Sequence, residues 1–154
     1  MVIRHLLLAL LLLFAASCSR LDTLTEAALS DAEATWNGHA PGFYRMVVKM
    51  TGDRLEEGVF EVVVRDRSVV SLSQNGQAVL PDRAQDYSVD GLFDILAREL
   101  ALAEEPSVLD APEGYGVYLL ARFDSDNGRL IRYLRSVGGT NNNIEIHVTE
   151  FEPR

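Results

Sequence analysis

Over residues 43–50 the side chains alternate, with Tyr44, Met46, Val48 and Met50 on one side and Arg45 and Lys49 on the other. A period of two predicts a strand with one face in a core and the other in water. The same pattern gives a second strand over 59–65, where Phe60, Val62 and Val64 oppose Glu61 and Arg65. Asp66-Arg67 is a tight connection to a third strand over 68–73, and Asn75-Gly76 is a two-residue hairpin signal that folds 77–80 back as a short extension. Strands joined by such short turns run antiparallel. Three more strands are predicted over 115–123, 130–137 and 144–151. In the last, Ile144, Ile146 and Val148 face away from Glu145, His147 and Thr149.

Two segments change to a helical period. After Ser88, a helix cap, Val89, Leu92, Phe93, Leu96 and Leu100 form an apolar stripe with Asp90 in the first turn. Earlier, Thr23-x-x-Glu26 and Ser30-x-x-Glu33 both have the capping-box form. The second is the better start for a helix that ends at Trp36 before Gly38 and Pro41-Gly42. Trp36, the only tryptophan, shares a face with Ala28 and Ala32 and is expected to anchor this helix to the core. The predicted fold is α+β in the order α-βββ-α-βββ, with two helices packed on one face of a six-stranded antiparallel sheet. The order suggests a loose repeat of one α-βββ unit. Residues 104–114 form a long acidic loop with Pro106 and Pro112.

The first residues carry a different message. Arg4 and His5 precede an apolar run over 6–16, and Ala15-Ala16-Ser17 leads to Cys18, the only cysteine. A charged start, a short apolar stretch and small residues at its end describe an export signal. The run is shorter than the ~20 residues needed to span a bilayer. A lone cysteine just after it resembles the lipobox of bacterial lipoproteins, in which that cysteine is lipidated. The expected organisation is a signal peptide over 1–17, lipidated Cys18 with a tether over 18–30, and a single α+β domain over 31–154. Lipidation also removes a lone thiol from an oxidising compartment. Ser19 after the cysteine resembles the enteric-type sorting pattern, in which Asp is the usual retention residue, and that resemblance implies the outer membrane, facing the periplasm. Acyl chains, at about 0.8 kcal/mol per buried methylene, would then make the membrane attachment.

Hydrophobic residues make up 47% of the chain and charged residues 24%, as in ordinary globular proteins. The net charge of −9 disfavours nucleic acid as a partner. It also disfavours electrostatic adhesion to anionic lipid.

Four stretches recur together in a known pattern. Trp36 is followed by Tyr44-x-Met46; a valine-rich hairpin occupies 60–70; Val89-Asp90-Gly91-Leu92-Phe93 opens the second helix; Ile144-x-Ile146-x-Val148-x-x-Phe151 makes the final strand. In this order, across 33–151, they resemble an uncharacterised bacterial lipoprotein family, domain of unknown function 6174. The chain departs from that family at Arg67, where Gly is usual in the hairpin turn, and near Leu130, where Pro is common. Its loop at 104–114 is also longer. The resemblance implies the fold and an envelope location, and implies no activity.

Candidate chemistry is sparse. Asp124-x-Asp126-x-Gly128 opens like a calcium loop, but the twelfth position is Arg135, a cation, so a hairpin turn rich in Asp, Asn and Gly is the better reading. His39 and His147 have no second histidine or cysteine near them in sequence. No nucleophile elbow or phosphate loop is present. No cofactor and no metal are expected, and no catalytic residue is assigned. The water-facing side of the sheet is the richest surface. Arg45, Lys49, Arg65 and His147 should project there, and Arg122, Arg132 and Arg135 supply further positive charge, only some of them outward. Val108 and Leu109 in the long loop are a candidate apolar contact. The expected function is a non-catalytic, lipid-anchored envelope domain that binds another envelope protein or a small ligand. An enzyme inhibitor presenting the Val108-Leu109 tip is the alternative, and a hydrolase with dispersed catalytic residues is a third reading.

Overall fold

A computed structural model describes residues 20–52, 57–80 and 86–154. The expected signal over 1–17, Cys18 and residues 53–56 and 81–85 lie outside the described residues. The described chain is α+β: two helices and one antiparallel sheet. The sheet has eight strands instead of six. β1 is Asp22–Thr23, β2 Phe43–Gly52, β3 Gly58–Arg65, β4 Ser68–Gln74, β5 Gln77–Val79, β6 Val117–Phe123, β7 Leu130–Val137 and β8 Ile144–Pro153. Helix α1 is Glu26–His39 and α2 is Val89–Ala103, with a 3-10 turn at Pro106–Leu109 after it. The spatial order is β1-β6-β7-β8-β2-β3-β4-β5. β2 and β8 therefore lie side by side at the centre and join a four-strand meander to a three-strand one. The first half places β2–β5 after α1, and the second places β6–β8 after α2.

Both additional strands are short edge pieces. β5 is the expected hairpin extension. β1 is a polar pair that becomes a strand only by pairing with β6, Asp22 opposite Ala121 and Thr23 opposite Leu120. Helix α1 starts between the two capping boxes, earlier than the preferred start at Ser30. Thr25 is its cap, with its side-chain oxygen accepting from the Ala28 N–H at 3.1 Å. The residues expected as tether are thus folded from Asp22 onward. Both two-residue hairpins place consecutive residues in the left-handed region: Asp66 and Arg67 at φ 48° and 62°, Asn75 and Gly76 at 51° and 80°. This is the geometry that fits strand twist. For Arg67 it costs about 1–2 kcal/mol relative to Gly, partly offset where the guanidinium donates to Asp90 Oδ1 of α2 at 3.2 Å.

The core lies on the alternating face. Tyr44, Met46, Val48, Met50, Phe60, Val62, Val64, Tyr133, Ile144 and Ile146 are buried there. Both helices touch it. From α1, Trp36 is fully buried and meets Tyr44 edge-on at 5.5 Å and Phe151 at 6.1 Å between ring centres. From α2, Val89, Leu92, Phe93, Ile95 and Leu96 are buried, and the Val89 N–H donates to the Tyr44 hydroxyl at 3.1 Å. Each such large apolar side chain contributes about 1.5–3 kcal/mol by leaving water. Gly128, in the β6–β7 turn at φ 79°, brings that turn against α1: a Cβ there would lie 2.2 Å from the Ala32 carbonyl oxygen and 2.8 Å from the Trp36 nitrogen. Among the described residues, no helix lies on the opposite face of the sheet.

Candidate functional site

The helix-free face contains a row of basic side chains drawn from four neighbouring strands. The register sets Lys49 of β2 opposite His147 of β8, His147 opposite Arg132 of β7, and Arg132 opposite Arg122 of β6. At about 4.8 Å per strand the row spans about 14 Å. Lys49 is exposed; His147, Arg132 and Arg122 are half-buried. Arg132 donates to Glu145 Oε1 on β8 at 2.9 Å. Among the described residues, Lys49 and His147 join no ion pair or side-chain hydrogen bond. Alternation in β7 is broken by one unpaired residue, since Phe123 pairs with Leu130 and Arg122 with Arg132. That irregularity at Ile131 turns Arg132 outward and Arg135 inward.

The other basic residues anticipated for this face stand apart. Arg45 is neutralised: Nε donates to Glu61 Oε1 at 2.8 Å, and Nη1 to Glu150 Oε2 at 2.9 Å with Glu152 Oε1 at 3.7 Å. Its hydrogen bond holds the Glu61 carboxyl below the usual range. Arg65 lies at the end of β3, where its guanidinium covers the Phe43 ring at 5.8 Å; Arg154 approaches the same ring at 5.7 Å.

Of Arg122, Arg132 and Arg135, Arg135 is the one that faces inward. It is 0% exposed and sits in a buried polar cluster. Nη1 donates to Glu99 Oε2 of α2 at 2.7 Å, and Nη2 donates to Asn142 Oδ1. The Tyr133 hydroxyl donates to the same Glu99 oxygen at 3.0 Å, and Asn142 Nδ2 donates to the Leu109 carbonyl at 3.0 Å. Burial first, and the Glu99 charge second, push the Tyr133 hydroxyl far above its ordinary value. The cluster ties α2, β7, the 138–143 loop and the 3-10 turn together. Its sequence signal is an acid within reach of the α2 stripe and an arginine alternating with Tyr133 and Val137 on an apolar face. Leu109 is consequently buried at 0%, while its neighbour Val108 is 42% exposed. The pair does not form a shared apolar tip. Val108 instead borders Arg98, Ala101 and Leu102 of α2.

The remaining features are modest. A groove of about 260 Å³ runs between the helices, floored by Leu29, Ala97, Leu100 and Ala101 and rimmed by Glu26, Glu33 and Glu104. The Asp124 carboxylate is already engaged. It accepts from the N–H groups of Asp126 and Asn127 at 3.0 and 3.3 Å, and from Arg129 Nη2 at 2.9 Å. That is a closed turn. His39 Nδ1 lies 2.9 Å from the Thr35 carbonyl oxygen at the end of α1. Among the described residues, no group of three or more His, Cys, Asp or Glu side chains is placed to hold a metal ion, and no helix is long and apolar enough to cross a membrane. No protein-family model, no curated protein and no solved structure matches this chain.

Proposed function

We propose that this protein is a lipid-anchored domain of the bacterial cell envelope that binds an anionic partner through the helix-free face of its sheet. The reading joins two features. The N-terminal segment resembles a lipoprotein signal ending at Cys18, as in the uncharacterised family that the chain resembles. The observation that carries the binding role is the row Lys49–His147–Arg132–Arg122, a local concentration of positive charge in a chain of net charge −9. An acidic protein surface is the partner this row fits, because its charges are presented on a flat sheet and not within a cleft. Two of the four side chains are held by no neighbouring acid among the described residues, so they are open to an incoming carboxylate without breaking an existing pair.

The anchor is tested by Cys18→Ala, which should abolish acylation and release the protein from membranes; unchanged detergent partitioning refutes it. The face is tested by photo-crosslinking in intact cells from Thr51, on the open side, and from Asp94, on the helix side. Crosslinks to one envelope protein from position 51 only, lost in Lys49→Glu with Arg132→Glu, support the reading. The double reversal should weaken binding by more than about tenfold, about 1.4 kcal/mol. Crosslinks from position 94 alone, or turnover of a substrate by the purified domain, overturn it.

A further inference from the structure

We propose that the sheet stands edge-on to the membrane, with the β1–β6 edge against the lipid headgroups and β5 held away from them. This rests on the lipidation of Cys18 proposed above. Only four Cα steps separate Cys18 from Asp22, so the acylated residue lies within about 14 Å of the folded body even at full extension. The point of attachment is at one extreme of the sheet. Asp22 belongs to β1, the outermost strand, paired to β6; β5 ends the opposite side. Seven interstrand spacings put β5 about 33 Å from β1. A tether less than half that length holds β1 at the bilayer, and β5 reaches it only when the sheet lies flat, which would press either the helices with their exposed Glu26, Glu33 and Glu104 or the ion-paired open face onto the headgroups.

A second observation marks the same edge. Among the described residues the two exposed aromatic side chains are Tyr118, 65% exposed, and Tyr115, 56% exposed. Tyr118 is on β6 and Tyr115 just before it. β6 continues past the two residues of β1, so Tyr118 lies at the margin of the sheet. A tyrosine has an apolar ring and a polar tip, and such side chains settle in the headgroup layer. The contact is thus made by acyl chains and rings, which suits a chain whose net charge gives it no attraction to anionic lipid. The basic row would then look sideways, parallel to the bilayer, and stay open to a partner in the same membrane.

The test uses the full-length, acylated protein in phosphatidylcholine vesicles containing doxyl-labelled phosphatidylcholine. Acylated Cys18 has no free thiol, so Thr23→Cys on β1 and Gln77→Cys on β5 each offer one labelling site; both positions are exposed. A fluorophore at 23 should be quenched several-fold more than one at 77. Tyr115→Ala with Tyr118→Ala should narrow that difference while leaving acylation unchanged. Trp36 emission in each variant reports that the fold is intact. An intact mass lacking acyl chains fails the anchor reading itself. An acylated protein whose two labels quench alike, or whose label at 77 quenches more, overturns the orientation alone.

Discussion

Glu99→Gln tests the buried cluster most directly. The substitution keeps the side chain's shape and removes its charge, leaving the Arg135 guanidinium without a counterion in a site that is 0% exposed. Arg135 Nε already has no hydrogen-bond partner among the described residues, so nothing there can absorb the loss. Breaking one side of a buried ion pair costs about 3–5 kcal/mol, against a total stability of about 5–15 kcal/mol for a domain. At about 4 °C per kcal/mol for a chain of this size, Tm should fall by about 10–20 °C. Glu99→Leu combined with Arg135→Met removes both charges. The Tyr133 hydroxyl and Asn142 Oδ1 each still lose a partner, at about 1–3 kcal/mol apiece. The double variant should nonetheless recover part of the loss, with a coupling of at least about 2 kcal/mol in the double-mutant cycle. Urea unfolding followed by circular dichroism measures five proteins: wild type, Glu99→Gln, Glu99→Leu, Arg135→Met and the double variant. Hydrogen exchange should show Glu99→Gln loosening 106–110 first, because Asn142 holds the Leu109 carbonyl. A Glu99→Gln protein within about 1 kcal/mol of wild type, or strictly additive single losses, would refute the reasoning.

Gly128→Ala should destabilise by about 2–4 kcal/mol in urea melts, because the methyl group meets backbone atoms of α1 at a left-handed φ; a loss under ~0.5 kcal/mol would mean that α1 does not press on the turn. Trp36 emission should be blue-shifted and shielded from iodide in the native state, and Trp36→Ala should cost about 3–5 kcal/mol; water-like native emission contradicts its place in the core. Stability should fall steeply above pH 10. Burial raises the hydroxyls of both Tyr44 and Tyr133 above their ordinary value, so the folded state keeps two protons that the unfolded state sheds. The slope approaches about 2.7 kcal/mol per pH unit, and each Tyr→Phe change should remove half of it; equal slopes in wild type and both variants would sink the assignment.

Local order was legible and long-range order was not. Helix α2 follows from its stripe and its cap, and Ser88 accepts from the Gly91 N–H at 3.1 Å as expected. Alternation in β2 and the Asn75-Gly76 turn are equally direct. β1 is illegible because two polar residues have no period; only β6 makes them a strand. Thr25 carries no capping-box signal, because its third neighbour is Ala28 and not Glu or Gln. The basic row was visible as residues but not as a row, since Lys49, His147, Arg132 and Arg122 meet only when β8 lies between β2 and β7. Which of Arg132 and Arg135 faces outward was open in the sequence, because one extra residue in β7 decides which side chains face inward.

The central pairing of β2 with β8 has a consequence for how the chain is made. Val48 waits for Val148, and closing a loop of about 100 residues costs about 4 kcal/mol of chain entropy before any contact repays it. Ribosomes release β2 long before β8, so the seam of the sheet cannot close until Ile144–Pro153 has emerged. Until then the two meanders have no strand to join them, and truncation before Ile144 should yield a chain whose sheet never closes.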